Sequence, residues 1–353
     1  MHGRRVALGD DDHAGRYAVL VVCADAAAAT NALRVAQTRY KRFQALGVRV
    51  FAVTPGPAAD NFALAARLDL SFPVLCDDEF AIGRALEMAP PASMLRLVVV
   101  DPAQRIAAIH DPAADADLGA TLEAAWRLCA ERLEAAEARI ITRQAPVLIV
   151  PDVLSRDHCA RLIRFWETGD RYTGGVASAA HGANVPVRQT KVREDVALAD
   201  DGPEAQELFT IFRRRLLPQV RRAFAFRVTH AETLRMGCYT AADGGHFRPH
   251  RDDTTPYTAH RRFAASINLN AGEYEGGYLR FPEYGPDLYT VDTGGAIVFS
   301  CALLHEATRV TRGRRFVLLG FFYGPAEQAL RERLMAERQR AGVPPPAPPH
   351  VRR

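Results

Sequence analysis

Between residues 17 and 110, apolar residues come in strand-length blocks separated by stretches with a helical period. YAVLVVCA predicts a buried strand, TNALRVAQTRYKRFQALG an amphipathic helix stopped by Gly47, and VRVFAVTP a second strand. ADNFALAARLDL then predicts a helix, FPVLCDD a short edge segment, and LRLVVVDPAQRIAAI a hairpin turning at Asp101-Pro102. Strands and helices in that order make a compact α/β domain with helices covering the sheet. From Ala116 to Arg139, Leu118, Leu122, Trp126, Cys129 and Leu133 fall on one face at steps of three and four, which predicts a helix joining the two halves of the chain.

The rhythm changes after residue 145. Two helical stretches, SRDHCARLIRFWETG and PEAQELFTIFRRRLLPQVRRAF, precede a run of short strands: HAETLRMGCYT, RFAASINLN, GYLRFP, LYTVD, GAIVFS and FVLLGFFYG. Glycine and proline punctuation between short, evenly spaced strands predicts an all-β sandwich or jelly roll. AEQALRERLMAERQR predicts a closing helix, and GVPPPAPPHVRR a disordered, proline-rich tail.

Composition narrows the function classes. The chain has 353 residues, more than one core usually organises, with 48% hydrophobic and 24% charged residues and a net charge of +4. Its arginines are dispersed rather than gathered into a block that would neutralise phosphates, so no nucleic-acid partner is expected. The longest apolar blocks fall far short of the roughly 20 residues a membrane helix needs, so no membrane partner is expected either. The opening MHGRRVALGDDDHAG turns acidic before any apolar segment, and the expected address is cytoplasmic. Cys23, Cys76, Cys129, Cys159, Cys238 and Cys301 form no Cys-x-x-Cys pair and read as buried small hydrophobes.

Candidate chemistry concentrates in GGHFRPHRD, residues 244–252. His250 and Asp252 flank one residue, so in an extended segment both side chains point the same way and can grip one metal ion. Chance alone yields about one His-x-acid triplet in a chain with 11 His and 41 acidic residues, and a second, His230-Ala-Glu232, is present. What distinguishes the first is its downstream company. His305 follows the strand GAIVFS, where a loop can return an imidazole to the same face. Two histidines and a carboxylate on one face suit a non-haem Fe(II) centre, and suit zinc as well. Arg315 stands ten residues beyond His305 on the next strand, offering a planar fork for a carboxylate. Strand alternation points only one of Arg314 and Arg315 inward. The charged run RQTKVREDVAL, residues 188–198, reads as a solvated segment, with the lining of a substrate mouth as the alternative.

From about Pro146 to Gly324 the sequence resembles the Fe(II)- and 2-oxoglutarate-dependent dioxygenases of the prolyl 4-hydroxylase-like group. Tyr239, GGHFRPHRD, YEGGYLRFPEYG and GGAIVFSCALLHEATRVTRGRRFVLLGFFYG carry the resemblance. It implies a double-stranded β-helix (jelly-roll) domain with flanking helices. It implies His250, Asp252 and His305 as iron ligands, Arg315 as partner of the 2-oxoglutarate C5 carboxylate, and Tyr239 as a second contact to that group, with no catalytic residue beyond the metal ligands. Fe(II), 2-oxoglutarate and O2 are implied as cofactor and cosubstrates, and ascorbate as a reductant. The activity implied is hydroxylation of an unactivated C–H bond of a prolyl residue, a free amino acid or a small metabolite, with release of succinate and CO2.

Residues 14–112 resemble the peroxiredoxin group of thioredoxin-like α/β domains through FQALGVRVFAVTPG, LDLSFPVLCDDEFAIGRAL and LRLVVVDPAQRIAAI. The peroxidatic cysteine of that group belongs at the start of the first long helix, where the helix dipole favours a thiolate. This chain has ADAAAATNAL there. The domain is therefore expected to be noncatalytic and to dock substrate, mediate a homodimer or shape the neighbouring domain. A thiol peroxidase acting through Cys23, or a noncatalytic metal-binding module, are the competing functions. The expected organisation is thus a thioredoxin-like domain over 14–112, a connecting helix and linker over 113–144, a jelly-roll dioxygenase domain over 145–325, and a helix with a disordered tail over 326–353.

Overall fold

The blocks expected as strands between residues 17 and 110 assemble into one five-stranded sheet. β1 (Ala18–Cys23), β2 (Arg49–Thr54), β3 (Val74–Cys76), β4 (Leu95–Val100) and β5 (Ile106–His110) lie in the order β3-β2-β1-β4-β5. β1 runs parallel to β2 and antiparallel to β4. The computed structural model describes residues 6–8, 12–90, 94–112, 118–134, 140–173 and 190–340, and the chain divides into two compact units, Met1–Ile140 and Ile141–Arg353.

In the first unit, Val19, Val21, Cys23, Leu97 and Val99 form one buried face of the sheet. Against it pack Leu33, Ala36 and Phe43 of α1 (Ala26–Ala45) and Leu122, Ala125 and Cys129 of α4 (Leu118–Glu134). Between them in sequence come α2 (Ala58–Arg67) and α3 (Ala81–Ala85). The helix expected to join the halves is thus part of the first unit's own core. Arg42 stacks over the Trp126 ring at 4.0 Å and ion-pairs with Glu123, holding α1 and α4 together. Leu133, expected on the buried face, is exposed, while Ala125 and Ala130 of the same helix are buried.

The second unit contains two facing sheets rather than a closed barrel. The larger is built on β6 (Leu148–Val150), β8 (Glu194–Ala197), β10 (Arg235–Thr240), β12 (Phe263–Asn268), β16 (Ala296–Ser300) and β18 (Val310–Tyr323), in the order β6-β16-β12-β18-β10-β8. β9 (His230–Ala231) and β13 (Tyr274–Gly276) add to β18. The smaller is β15-β14-β17-β11-β7, from β7 (Lys191–Val192), β11 (His246–His250), β14 (Leu279–Arg280), β15 (Leu288–Tyr289) and β17 (His305–Ala307).

Strand alternation decides what each face of β18 does. Phe316, Leu318 and Phe322 point outward into the main core under the helices, where Trp166 meets Phe316 edge-on at 5.3 Å and Phe212 meets Phe322 at 5.9 Å. Arg315, Leu319 and Phe321 point inward and line the cavity between the sheets. The covering helices are α5 (Arg156–Thr168), α6 (Pro203–Arg215) and α7 (Leu217–Phe224). Ser155 caps α5 by accepting the His158 N–H at 3.2 Å, a contact stabilising the helix by about 1 kcal/mol. The stretch 203–224, expected as one helix, breaks at Leu216. Pro218 has no N–H to give the carbonyl one turn back, so the chain restarts as a new helix with proline in its first turn.

α8 (Pro325–Arg340) follows β18. The proline-rich tail falls outside the described residues. No helix among the described residues is long and apolar enough to cross a membrane.

Candidate metal centre

His250 ends β11 and His305 begins β17, and these two strands pair antiparallel with His250 directly opposite His305. His305 therefore sits on a strand, not on the returning loop expected from the sequence. Asp252 lies just past β11, where its N–H donates to the Cys301 carbonyl at 2.9 Å and turns the carboxylate back toward both rings. One Asp252 oxygen is 3.5 Å from His250 Nε2 and the other is 3.4 Å from His305 Nε2. The three donor atoms lie within 4.8 Å of one another.

Protons are arranged for ligation. His250 Nδ1–H donates to the Arg248 carbonyl at 2.8 Å and His305 Nδ1–H to the Leu303 carbonyl at 3.0 Å. A carbonyl only accepts, so each Nδ1 carries the proton and each Nε2 presents its lone pair to the centre. Burial pushes the His305 imidazole down to about 4, opposed in part by Asp252. Burial alone would raise the Asp252 carboxyl, but His305 and His250 outweigh it and hold the group well below the usual carboxylate range. The site therefore offers two imidazole Nε2 atoms and one carboxylate, a donor set that fits a divalent iron ion.

Arg315 lies in the same cavity, 6% exposed, with its guanidinium 5.4 Å from the Tyr239 ring. Tyr239 is its register partner across β10 and β18. Nη2 reaches Ser266 Oγ at 3.3 Å, while Nε is buried with no partner. A buried guanidinium with unused donors is costly unless an anion completes it, which is what the far carboxylate of 2-oxoglutarate would do. Gly277, at φ +66, makes room for this side chain: an added Cβ would stand 2.8 Å from Arg315 Cδ. Arg314 points the other way and pairs with Glu167 at 3.1 Å. The Tyr239 hydroxyl accepts from Arg193 Nη1 at 3.0 Å, leaving its own O–H available to donate.

Residues 234–323 match the family described as 2OG-Fe(II) oxygenase superfamily. The second unit carries a 2OG-Fe(II) oxygenase domain. The chain is accordingly a 2-oxoglutarate-dependent dioxygenase, and its family implies Fe(II), 2-oxoglutarate and O2. Residues 1–109 match the AhpC/TSA family, giving the dioxygenase a thioredoxin-like N-terminal domain. A PKHD-type hydroxylase of Stutzerimonas stutzeri (strain A1501) is 27% identical over 190 residues, 50% of this chain and 77% of that protein. Among solved structures, a prolyl hydroxylase of Trichoplax adhaerens in complex with a hypoxia inducible factor peptide fragment has a TM-score of 0.42 at 15% identity, covering 53% of this chain and 87% of that one. A Pseudomonas putida prolyl-4-hydroxylase gives a TM-score of 0.39 at 18% identity, covering 52% and 93%.

The dioxygenase cavity also holds residues that sequence reasoning passed over. Part of the run read as solvated folds inward: Lys191, Arg193 and Asp195 are all buried, Lys191 on β7 where it pairs with β11 and Asp195 on β8 where it pairs with β10. Asp195 accepts from Arg193 Nε at 2.5 Å and from Lys191 Nζ at 3.1 Å. Burial and the neighbouring Arg193 push the Lys191 ammonium down to about 8. Glu232, read as part of a surface pair, is the counter-ion of Arg261 at 2.7 Å and of Arg235 at 3.5 Å, and Arg261 also reaches the Asp252 carbonyl at 3.3 Å. The Lys191, Arg193 and Asp195 contacts are local in the chain, but their burial depends on pairing with β10 and β11 about 40 to 60 residues later, and Glu232 meets Arg261 across 29 residues.

In the thioredoxin-like unit, Cys23 is 1% exposed at the end of β1, and burial pushes its thiol up to about 12. The first two turns of α1, where that fold would place a nucleophile, contain no cysteine. A group in that state supplies no thiolate at neutral pH.

Proposed function

We propose that the dioxygenase hydroxylates an unactivated C–H bond of a prolyl residue, a free amino acid or a small metabolite. The balanced reaction inserts one O2 oxygen into the substrate C–H bond and the other into the succinate formed from 2-oxoglutarate, whose C1 leaves as CO2. The observation that carries this reading is one cavity holding His250, Asp252 and His305 with both Nε2 atoms converging, together with a buried Arg315 whose Nε has no partner. The PKHD-type hydroxylase relative supports hydroxylation as the outcome.

Iron bound here with 2-oxoglutarate and O2 would supply the oxidising chemistry. The protein's residues do the rest. The two Nδ1–H donors hold the imidazoles in the ligating tautomer, Asp252 provides the one negative charge, and Arg315 with Ser266 fixes the C5 carboxylate. The Tyr239 O–H, left free by Arg193 donating to the same oxygen, would be available to that same carboxylate. Phe299 and Phe281 pack 4.6 and 6.2 Å from the His305 ring and keep water from that side. Ascorbate would serve to restore iron oxidised without turnover.

The test is calorimetry with Fe(II) under anaerobic conditions, followed by succinate assay under air. 2-Oxoglutarate should bind only with metal present, and succinate should appear slowly without substrate. Absence of metal-dependent 2-oxoglutarate binding overturns the proposal.

A further inference from the structure

Six cations line the cavity: Lys191, Arg193, Arg235, Arg251, Arg261 and Arg315. Four carboxylates answer them: Asp252 in the wall itself, then Asp195 behind Lys191 and Arg193, Glu232 behind Arg235 and Arg261, and Glu283 paired with Arg251 at the rim. The six-to-four ratio leaves two positive charges before any ligand enters. A divalent ion raises the surplus to four, and the two carboxylates of 2-oxoglutarate return it to two. The count does not depend on which cation meets which end of 2-oxoglutarate.

The surplus has two locations. One is the Lys191–Arg193–Asp195 cluster, two cations on one carboxylate. It flanks Phe247, whose ring is 5.7 Å from Lys191 Nζ and stacks on His250 at 3.5 Å. The other is Arg235 and Arg261 on Glu232, both over the Phe321 ring, at 5.5 and 3.8 Å. Excess charge buried beside apolar rings is unfavourable until an anion arrives.

We propose that the substrate of this dioxygenase is anionic, presenting a carboxylate to one of these two cationic walls while its reacting carbon faces the metal centre. The inference rests on the oxygenase reading above, because the tally includes the ion and 2-oxoglutarate. A cavity so charged selects against neutral compounds by leaving its cations unanswered. Burial and Arg193 already depress the Lys191 ammonium, which a bound anion would relieve.

The experiment uses the full chain loaded with Zn(II), as a redox-silent stand-in, and 2-oxoglutarate. Monocarboxylates and their matched primary amides are then screened by ligand-observed NMR. 2-Oxoglutarate binding is measured first, in the same sample: if it fails, the oxygenase reading falls and this inference with it. Given that binding, carboxylates should bind roughly tenfold better than their amides. Lys191→Met leaves a neutral Arg193–Asp195 pair, and Arg235→Met leaves Arg261 on Glu232, so each removes one surplus charge without orphaning a carboxylate. Loss of the carboxylate preference in either variant, with 2-oxoglutarate binding intact, supports the proposal and names the wall. Lys191→Arg, which keeps the charge, should retain the preference. Equal binding of acids and amides to the unaltered protein, or a preference that survives both charge-removing variants, overturns it.

Discussion

Both units bury side chains capable of chemistry, and only one of them leaves those side chains with anything to do. In the thioredoxin-like unit, Cys23 is enclosed by apolar neighbours, and burial simply raises its thiol to about 12. In the dioxygenase unit, His305, Asp252 and Arg315 are similarly enclosed, but around a cavity, with both Nε2 lone pairs and one guanidinium N–H unspent. Burial therefore does not mark a site by itself. The mark is buried polar capacity that the protein's own atoms do not use, opening on space a ligand can enter.

That contrast can be broken at several points. The largest effect is expected from Asp252→Ala, which removes the only anionic ligand: iron affinity should fall by more than the roughly 10–100-fold typical of changes behind a ligand, with 2-oxoglutarate turnover lost. Metal titration and succinate assay check it. Asp195→Asn should act on stability instead, since Lys191 and Arg193 would be left buried without their counter-ion. A loss of about 3–5 kcal/mol in denaturant unfolding is expected, against little change for Lys191→Met. Arg315→Met should raise the 2-oxoglutarate KM by roughly 10–100-fold, as expected for losing hydrogen bonds to a charged group, with iron binding retained.

A smaller effect is expected from acid. His260 and Arg261 overcome burial and hold Glu232 down to about 2, below its ordinary 4.5. A depressed acid contributes stability above its unfolded pKa and loses it as pH falls through the folded value, so the unfolding free energy should decline between about pH 5 and pH 2 by on the order of 3 kcal/mol. Glu232→Gln should flatten that decline. At the other end of the scale, Cys23→Ala should leave succinate production unchanged and remove no peroxide turnover. A peroxidase activity abolished by this substitution would erase the contrast between the two units.

Much of this contrast was legible in the sequence. The His250-x-Asp252 triplet, His305 and Arg315 were singled out by spacing and strand alternation, and the resemblance to known dioxygenases joined them into one set. The alternation of apolar blocks with helical stretches was likewise enough for the succession of strands and helices in the first unit. What escaped notice depends on contacts that composition cannot distinguish. Lys191, Arg193 and Asp195 have the pattern of a solvated run, and only pairing with β10 and β11, more than 40 residues later, turns them inward. Glu232 meets Arg261 across 29 residues of chain, so its triplet looked equivalent to any surface pair. The break at Leu216 was a local matter, visible in Pro218 but obscured by the apolar periodicity continuing on both sides of it.

β18 has a consequence for synthesis of the chain. It is the partner shared by β10 and β12, which do not pair with each other, and it also carries Arg315. A nascent chain that has emerged only as far as β17 holds His250, Asp252 and His305, yet its larger sheet is two separate pieces, β8 with β10 and β6 with β16 and β12. The last strand of the domain to be made is the one that joins them. The larger sheet can therefore close only after translation has passed residue 323, when β18 joins its two pieces, while the thioredoxin-like unit is made earlier as a compact unit of its own.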